Sequence, residues 1–301
     1  ARFDTAAARW RERLNRTTLT LPTDAQPIAD TLRSALAQIL ISRDGPALKP
    51  GSRSYARSWV RDGAMMVAGL LRLGEVDASR EFIDWYAGFV FDSGKVPCCV
   101  DSRGADPVAE NDSHGQYLYA VAEVWRHTRD NAWLARHWQT VQRVLAYQEG
   151  LRQSERSARN REPGRAHLFG LMPPSISHEG YADKAAYSYW DDFWALRGYK
   201  DAVLIARALG HETEAQRWSE WTASFERELA ASIVATAAHH RIDFIAGAAD
   251  RGDFDPTSTT IALNPVQAEL PPALLDATFE RYWRESLART LKLREKKLMA
   301  T

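Results

Sequence analysis

The chain has 301 residues, with 39 Lys+Arg and 39 Asp+Glu, so its formal net charge is zero. Balanced charge argues against a nucleic-acid partner, which would show as a basic excess. No stretch approaches the roughly 18 apolar residues of a membrane span. The apolar fraction of 45% is that of a globular protein with a sizeable core, and the 11 tryptophans need packing partners or flat ligands.

In chain order the pattern is helical almost throughout. A first helix is expected over residues 5–15. The stretch 24–42 places Ile28, Leu32, Leu36 and Leu40 at steps of four, which reads as one apolar face. Residues 58–74 form an apolar helix closing on Gly74, a C-cap residue, and 77–91 follow with Asp77 as N-cap. Residues 95–101 and 240–246 carry weak strand signals. The stretches 111–130 and 131–152 form a helical pair, as do 188–210 and 212–237. A last helix runs from about Pro271 to the end.

The connections alternate. Tight ones fall at 74–77, 130–131 and 209–212, long ones at 92–110, 153–187 and 238–257. Long irregular connections are uncommon in compact domains and usually functional. If the hairpins stand side by side, all the long connections emerge at one end. The polar stretch 152–165 reads as a mobile surface loop. Nothing divides the chain, so residues 1–301 read as one domain. Cys98 and Cys99 are adjacent, which excludes a disulfide framework, and they read as structural. The compartment stays open, and a first residue of Ala1 leaves a removed leader open too.

Three clusters sit where long connections feed into helices. The first, SYARSWVRDGAMM (54–66), holds Tyr55, Trp59, Arg61 and Asp62. An acid there can simply complement the helix dipole. It can also clamp a sugar, because a carboxylate accepts two hydroxyl hydrogen bonds and a guanidinium donates in a planar fork. The second, DPVAENDSHGQYLY (106–119), holds Glu110, Asn111, Asp112 and His114. Asn111 or Asp112 as N-cap, with Gly115 for close packing, is the alternative to a binding role. No metal-ligand pattern surrounds His114. The third, SYWDDFWALRG (188–198), follows His178 and Glu179 and sets Asp191 and Asp192 between Trp190 and Trp194. A carboxyl stripped of water by rings holds its proton near neutrality, as a general acid must. One acid is then the proton donor, the other binds hydroxyls, and the tryptophans stack on sugar faces. No phosphate-cradling Gly-rich loop or G-x-S-x-G elbow competes, and no cofactor is implied.

SWVRDGAMM resembles the Trp-x-Arg-Asp helix start of the glucoamylase family and its six-hairpin glycosidase relatives. ENDSHGQYLY is similar to their Gln-x-Asp-x-x-Gly element, and YWDDFW to their Trp-Glu-Glu element. The order matches over about residues 50–265. The resemblance implies an all-α (α/α)6 toroid and an inverting glycoside hydrolase with a carbohydrate substrate. It implies that Arg61 and Asp62 bind the terminal sugar, that Asp191 is the general acid and that Asp192 is a subsite residue. The acids here are Asp rather than Glu. The family's general base lies in the last hairpin, and about ten helices leave the ring one hairpin short. The toroid is therefore expected to be incomplete at its C-terminus, unless the helix over 5–15 closes the ring; an open ring would leave an apolar edge that recruits a partner or a second copy. The base would then come from Glu179, Asp253 or Asp255. Two alternatives remain: a sugar-binding toroid without a base, and a lyase or epimerase built on Tyr55, His114 and His178.

Overall fold

The computed structural model describes residues 2–176, 181 and 183–294. His178 and Glu179 lie outside the described residues. The described residues form ten α-helices: α1 (Arg2–Leu14), α2 (Gln26–Ser42), α3 (Val60–Arg72), α4 (Val76–Ala87), α5 (Asp112–Thr128), α6 (Asn131–Glu155), α7 (Tyr189–Ala208), α8 (Glu212–His240), α9 (Pro256–Ile261) and α10 (Pro272–Arg294). A small antiparallel sheet joins β1 (Ser58–Trp59), β2 (Cys99–Asp101) and β3 (Gly104–Ala105) in that order. None of the described helices is long and apolar enough to cross a membrane.

The helices form two layers. Helix α5 packs between α3 and α7, and α7 also packs on α9, so α3, α5, α7 and α9 make an inner row. Helices α4, α6, α8 and α10 lie against α3, α5, α7 and α9 respectively. Burial follows the layers. Every residue of α5 from Asp112 to Val124 is buried, whereas α8 buries one stripe including Trp218, Phe225, Leu229 and Ile233.

Glycine sets the closest approach within the inner row. A Cβ on Gly115 of α5 would lie 1.8 Å from the Trp194 carbonyl oxygen of α7. One on Gly198 would lie 2.8 Å from the Cα of Gly115. The two backbones therefore touch, which no larger residue permits. The tight connections turn through left-handed residues, Gly74 (φ 81°), Arg129 (φ 54°) and Gly210 (φ 77°).

Several expectations are corrected. Helix α2 buries Ala29, Leu36 and Leu40, while Ile28 is 67% exposed and Leu32 is exposed. A step of four overshoots a turn by about 40°, so three steps rotate the stripe by about 120°. Glu75, not Asp77, stands at the N-cap of α4. Residues 241–246 form no strand, whereas β2 falls within 95–101. The polar stretch 152–165 is tied down. Asn160 is buried, donates to the Glu155 carbonyl oxygen and carboxylate at 3.0 and 2.7 Å, and accepts from Arg165.

Candidate functional site

The four inner helices begin side by side. Arg61 is the second residue of α3, Asp112 the first of α5, and Trp190 and Asp191 the second and third of α7; Asp255 caps α9. Each start follows a long connection. The N-terminal ends of the helix dipoles favour negative charge in these first turns.

Asp112 is the hub. Its Oδ2 accepts from Arg61 Nε at 2.7 Å, from Trp190 Nε1 at 2.7 Å and from Gln116 Nε2 at 2.8 Å. Burial opposes its charge, but attraction to Arg61 and these three donors outweigh burial and hold the carboxyl below its ordinary range. Arg61 also donates from Nη2 to Glu110 Oε2 at 2.6 Å, and its guanidinium lies 6.0 Å from the Trp190 ring centroid. Burial, then the Asp112 charge, pushes Glu110 up to about 7, against the pull of Arg61. Burial disfavours the Arg61 charge, yet Asp112, Glu110 and Asp191 together raise its pKa.

Asp191 is 1% exposed, and its Oδ2 accepts from Ser175 Oγ at 2.6 Å. Ser175 Oγ in turn accepts from the Asn111 backbone N–H at 3.2 Å. The loop before α7 and the start of α5 thus meet at the Asp191 carboxylate. Ser175 lies in an irregular stretch, and nothing in the sequence singled it out. Asp62 sits beside Arg61 in the first turn of α3, half-buried. Trp59 ends β1 opposite Cys99, with the Tyr55 ring 6.1 Å away and Arg57 over it at 5.5 Å. A cavity of about 250 Å³ opens between the inner helices, lined by Met65, Trp190, Thr257, Thr260 and Tyr282 among others.

Other residues named from the sequence fall elsewhere. Asp192 is fully buried, one step of about 100° round the helix from Asp191. Its Oδ1 accepts from the Met172 N–H at 2.8 Å, and its Oδ2 has no hydrogen-bond partner among the described residues. Burial raises its pKa well above the ordinary carboxylate value, and the Asp191 charge adds to this. Asp192 is therefore sealed in the protein interior rather than set in a subsite. Trp194 is also fully buried, edge-on to Trp190 at 6.3 Å and near Tyr119, so it packs the core and cannot stack on a sugar. His114 is buried against Tyr147 at 5.0 Å, and burial lowers its pKa to about 4. His114 is thus closed into the protein interior. Asn111 is buried and holds the Pro173 carbonyl at 2.8 Å.

Asp253 accepts from Tyr181 Oη at 2.8 Å and from the Ala248 N–H at 3.1 Å. Asp255 accepts from the Thr257 N–H and Ser258 Oγ, both at 3.0 Å. Both acids hold the loop that starts α9. Cys98 and Cys99 are buried free thiols with their sulfurs 3.1 Å apart.

No protein-family model and no curated protein matches the sequence. Solved structures do. A glycosidase variant in complex with glucose aligns with a TM-score of 0.53 at 17% identity, over 72% of this chain and 59% of its own. Another glycosidase variant aligns with a TM-score of 0.61 at 15% identity, over 86% and 70%. A bacterial glucoamylase complexed with acarbose aligns with a TM-score of 0.51 at 15% identity, over 72% and 30%. The fold is that of these solved glycosidases, and the chain spans 59% of the length of the one solved with glucose. At these identities the likeness carries the fold and not the chemistry.

Proposed function

We propose that the protein is a glycoside hydrolase that cleaves an oligosaccharide or glycoside by general acid/base catalysis with inversion. The observation that supports this most is the meeting of Arg61, Asp112, Trp190 and Asp191 at one end of the inner helices. Arg61 spends Nε on Asp112 and Nη2 on Glu110, which leaves Nη1 to donate to a sugar hydroxyl. Asp62 accepts hydroxyl protons beside it, and Trp190 offers a ring face. Asp191 gives its proton to the glycosidic oxygen as the C–O bond breaks. Water attacks the anomeric carbon from the opposite face and loses a proton to a second carboxylate. Inversion needs that base roughly 6.5–9.5 Å from the acid. Glu179, Asp253 and Asp255 are the candidates.

A second function, sugar binding without hydrolysis, is favoured by one observation: Asp253 and Asp255 are both engaged in holding the α9 loop. The deciding experiment is a panel of glycosides followed by NMR at early times, beside calorimetric titration with the free sugars. Release of the inverted anomer supports the first function. The retained anomer sinks the inverting mechanism. Binding without release moves the assignment to the second function, and neither binding nor release overturns both.

A further inference from the structure

Three histidines meet at the C-terminal end of α8. His239 and His240 close that helix, and His167 comes from the turn Ala166–Leu168 packed against it. One ring nitrogen from each lies within 4.8 Å of the other two. The His167 and His239 rings stack at 4.3 Å, and the His240 ring stands at 82° and 88° to them. His167 is buried, His240 half-buried and His239 exposed, so the cluster has a dry wall and a wet mouth.

We propose that this cluster binds a divalent cation of the zinc class through three imidazoles, with water in the fourth position. Three histidines and one open position are a recurring tetrahedral set for that ion, and neutral imidazole suits it. His240 is already oriented for the role. Its Nε2 lies 2.9 Å from the Ala249 carbonyl oxygen. A carbonyl only accepts, so Nε2 carries the proton and Nδ1 keeps its lone pair, the arrangement that fixes metal-binding histidines. Gly252 makes room for that ring, because a Cβ there would lie 2.4 Å from His240 Cγ. The carbonyl end of α8 favours a cation, and the Asp250 charge acts on His167. Zinc–nitrogen bonds of about 2.0–2.1 Å place tetrahedral ligand atoms about 3.3 Å apart. Some of the nitrogens must then close by up to about 1.5 Å, a movement open to the exposed His239 ring.

The ion would join the turn at His167 to the end of α8, and the loop 248–252 is tied to that end by the bond between His240 and the Ala249 carbonyl. These segments also hold the approach to α7. The Ala249 N–H donates to the Tyr187 carbonyl at 2.8 Å, Asp250 accepts from the Tyr187 N–H at 3.0 Å, and Tyr189 Oη bonds Ser232 and Thr236 of α8 at 2.8 Å each. A bound ion would therefore brace the chain just before Trp190 and Asp191 without touching a substrate.

The test is titration of the chelator-treated protein with ZnCl2 by calorimetry, with thermal melting alongside. One Zn2+ per chain and a higher Tm with Zn2+ are expected, and Co2+ should give the visible absorption of a four-coordinate ion. His239→Ala changes an exposed side chain, so the fold persists, which circular dichroism checks. Its Kd for Zn2+ should rise by more than the roughly 10–100-fold that loss of an outer partner causes. His127→Ala, distant in the chain, should bind as the unaltered protein does. No stoichiometric binding, or an unchanged Kd in His239→Ala, would overturn the proposal. None of these readouts depends on hydrolysis.

Discussion

Arg61 Nε donates to Asp112 Oδ2 at 2.7 Å, and this one bond ties the start of α3 to the start of α5. Asp112 is fully buried, so its charge stands only because the guanidinium and two other donors face it. Breaking a buried pair by removing one partner costs about 3–5 kcal/mol, since the other charge is left uncompensated. Arg61→Ala should lose stability of that order in urea denaturation. Arg61→Lys should rescue it poorly, because an ammonium cannot reach Asp112 and Glu110 with one planar fork. A loss below about 1 kcal/mol in Arg61→Ala would show that Asp112 carries no charge to be compensated.

Glu110 and Asp192 predict how stability follows pH. A carboxyl whose pKa rises on folding binds more protons folded than unfolded between its two pKa values. Stability from such a group is present below the unfolded value and is lost as pH rises towards the folded value. For Glu110 the window runs from its ordinary 4.5 up to about 7. Asp192, raised further by burial, extends the fall above that window. Urea midpoints of the unaltered protein should drop across this range. Glu110→Gln should flatten the drop between about 4.5 and 7, and Asp192→Asn should flatten it on the alkaline side. A parallel pH curve in Asp192→Asn would mean that this acid is ionised when folded.

Gly115→Ala should be one of the most damaging single methyl additions in the chain. The new Cβ would sit 1.8 Å from a main-chain oxygen of Trp194, which cannot rotate aside. Overpacking typically costs 1–3 kcal/mol, and a clash with backbone belongs at or above about 3 kcal/mol. Chemical denaturation measures it. Gly150→Ala, where nothing lies within 4 Å of the added carbon, is the control and should be neutral or slightly stabilising.

Asp191→Asn should reduce glycoside hydrolysis by about 10²–10⁴-fold, the usual loss of general-acid assistance. Binding of the free sugar should change little, because Arg61, Asp62 and Trp190 remain. Asp62→Asn should do the reverse, weakening binding by about 1–3 kcal/mol for a lost charged hydrogen bond. Rates on a glycoside panel and calorimetry separate the two. Full activity in Asp191→Asn would remove it as the acid.

The hairpin order was legible because tight and long connections alternate, and because residues such as Gly74 and Gly210 punctuate the tight ones. The charged starts at Arg61, Asp112 and Asp191 stood out against apolar helices. Which acid of the Asp191–Asp192 pair faces inward was not legible. Helix α7 is buried on nearly all sides through its first turns, so no polar face marks an orientation. The aromatic surroundings misled in the same way, since Trp194 is fully buried whereas Trp190, also buried, still lines the cavity. Ser175 joins the site from an irregular segment, 16 residues before the acid it contacts. His167 reaches His239 across an even longer separation, which no local pattern encodes.

The contact between Gly115 and Gly198 governs more than packing. Gly115 lies one turn beyond Asp112, and Gly198 two turns beyond Asp191, so the main chains of α5 and α7 abut just beneath both acids. Abutting backbones have no side chain between them to flex, so the gap between the Asp112 hub and Asp191 behaves as a fixed gauge.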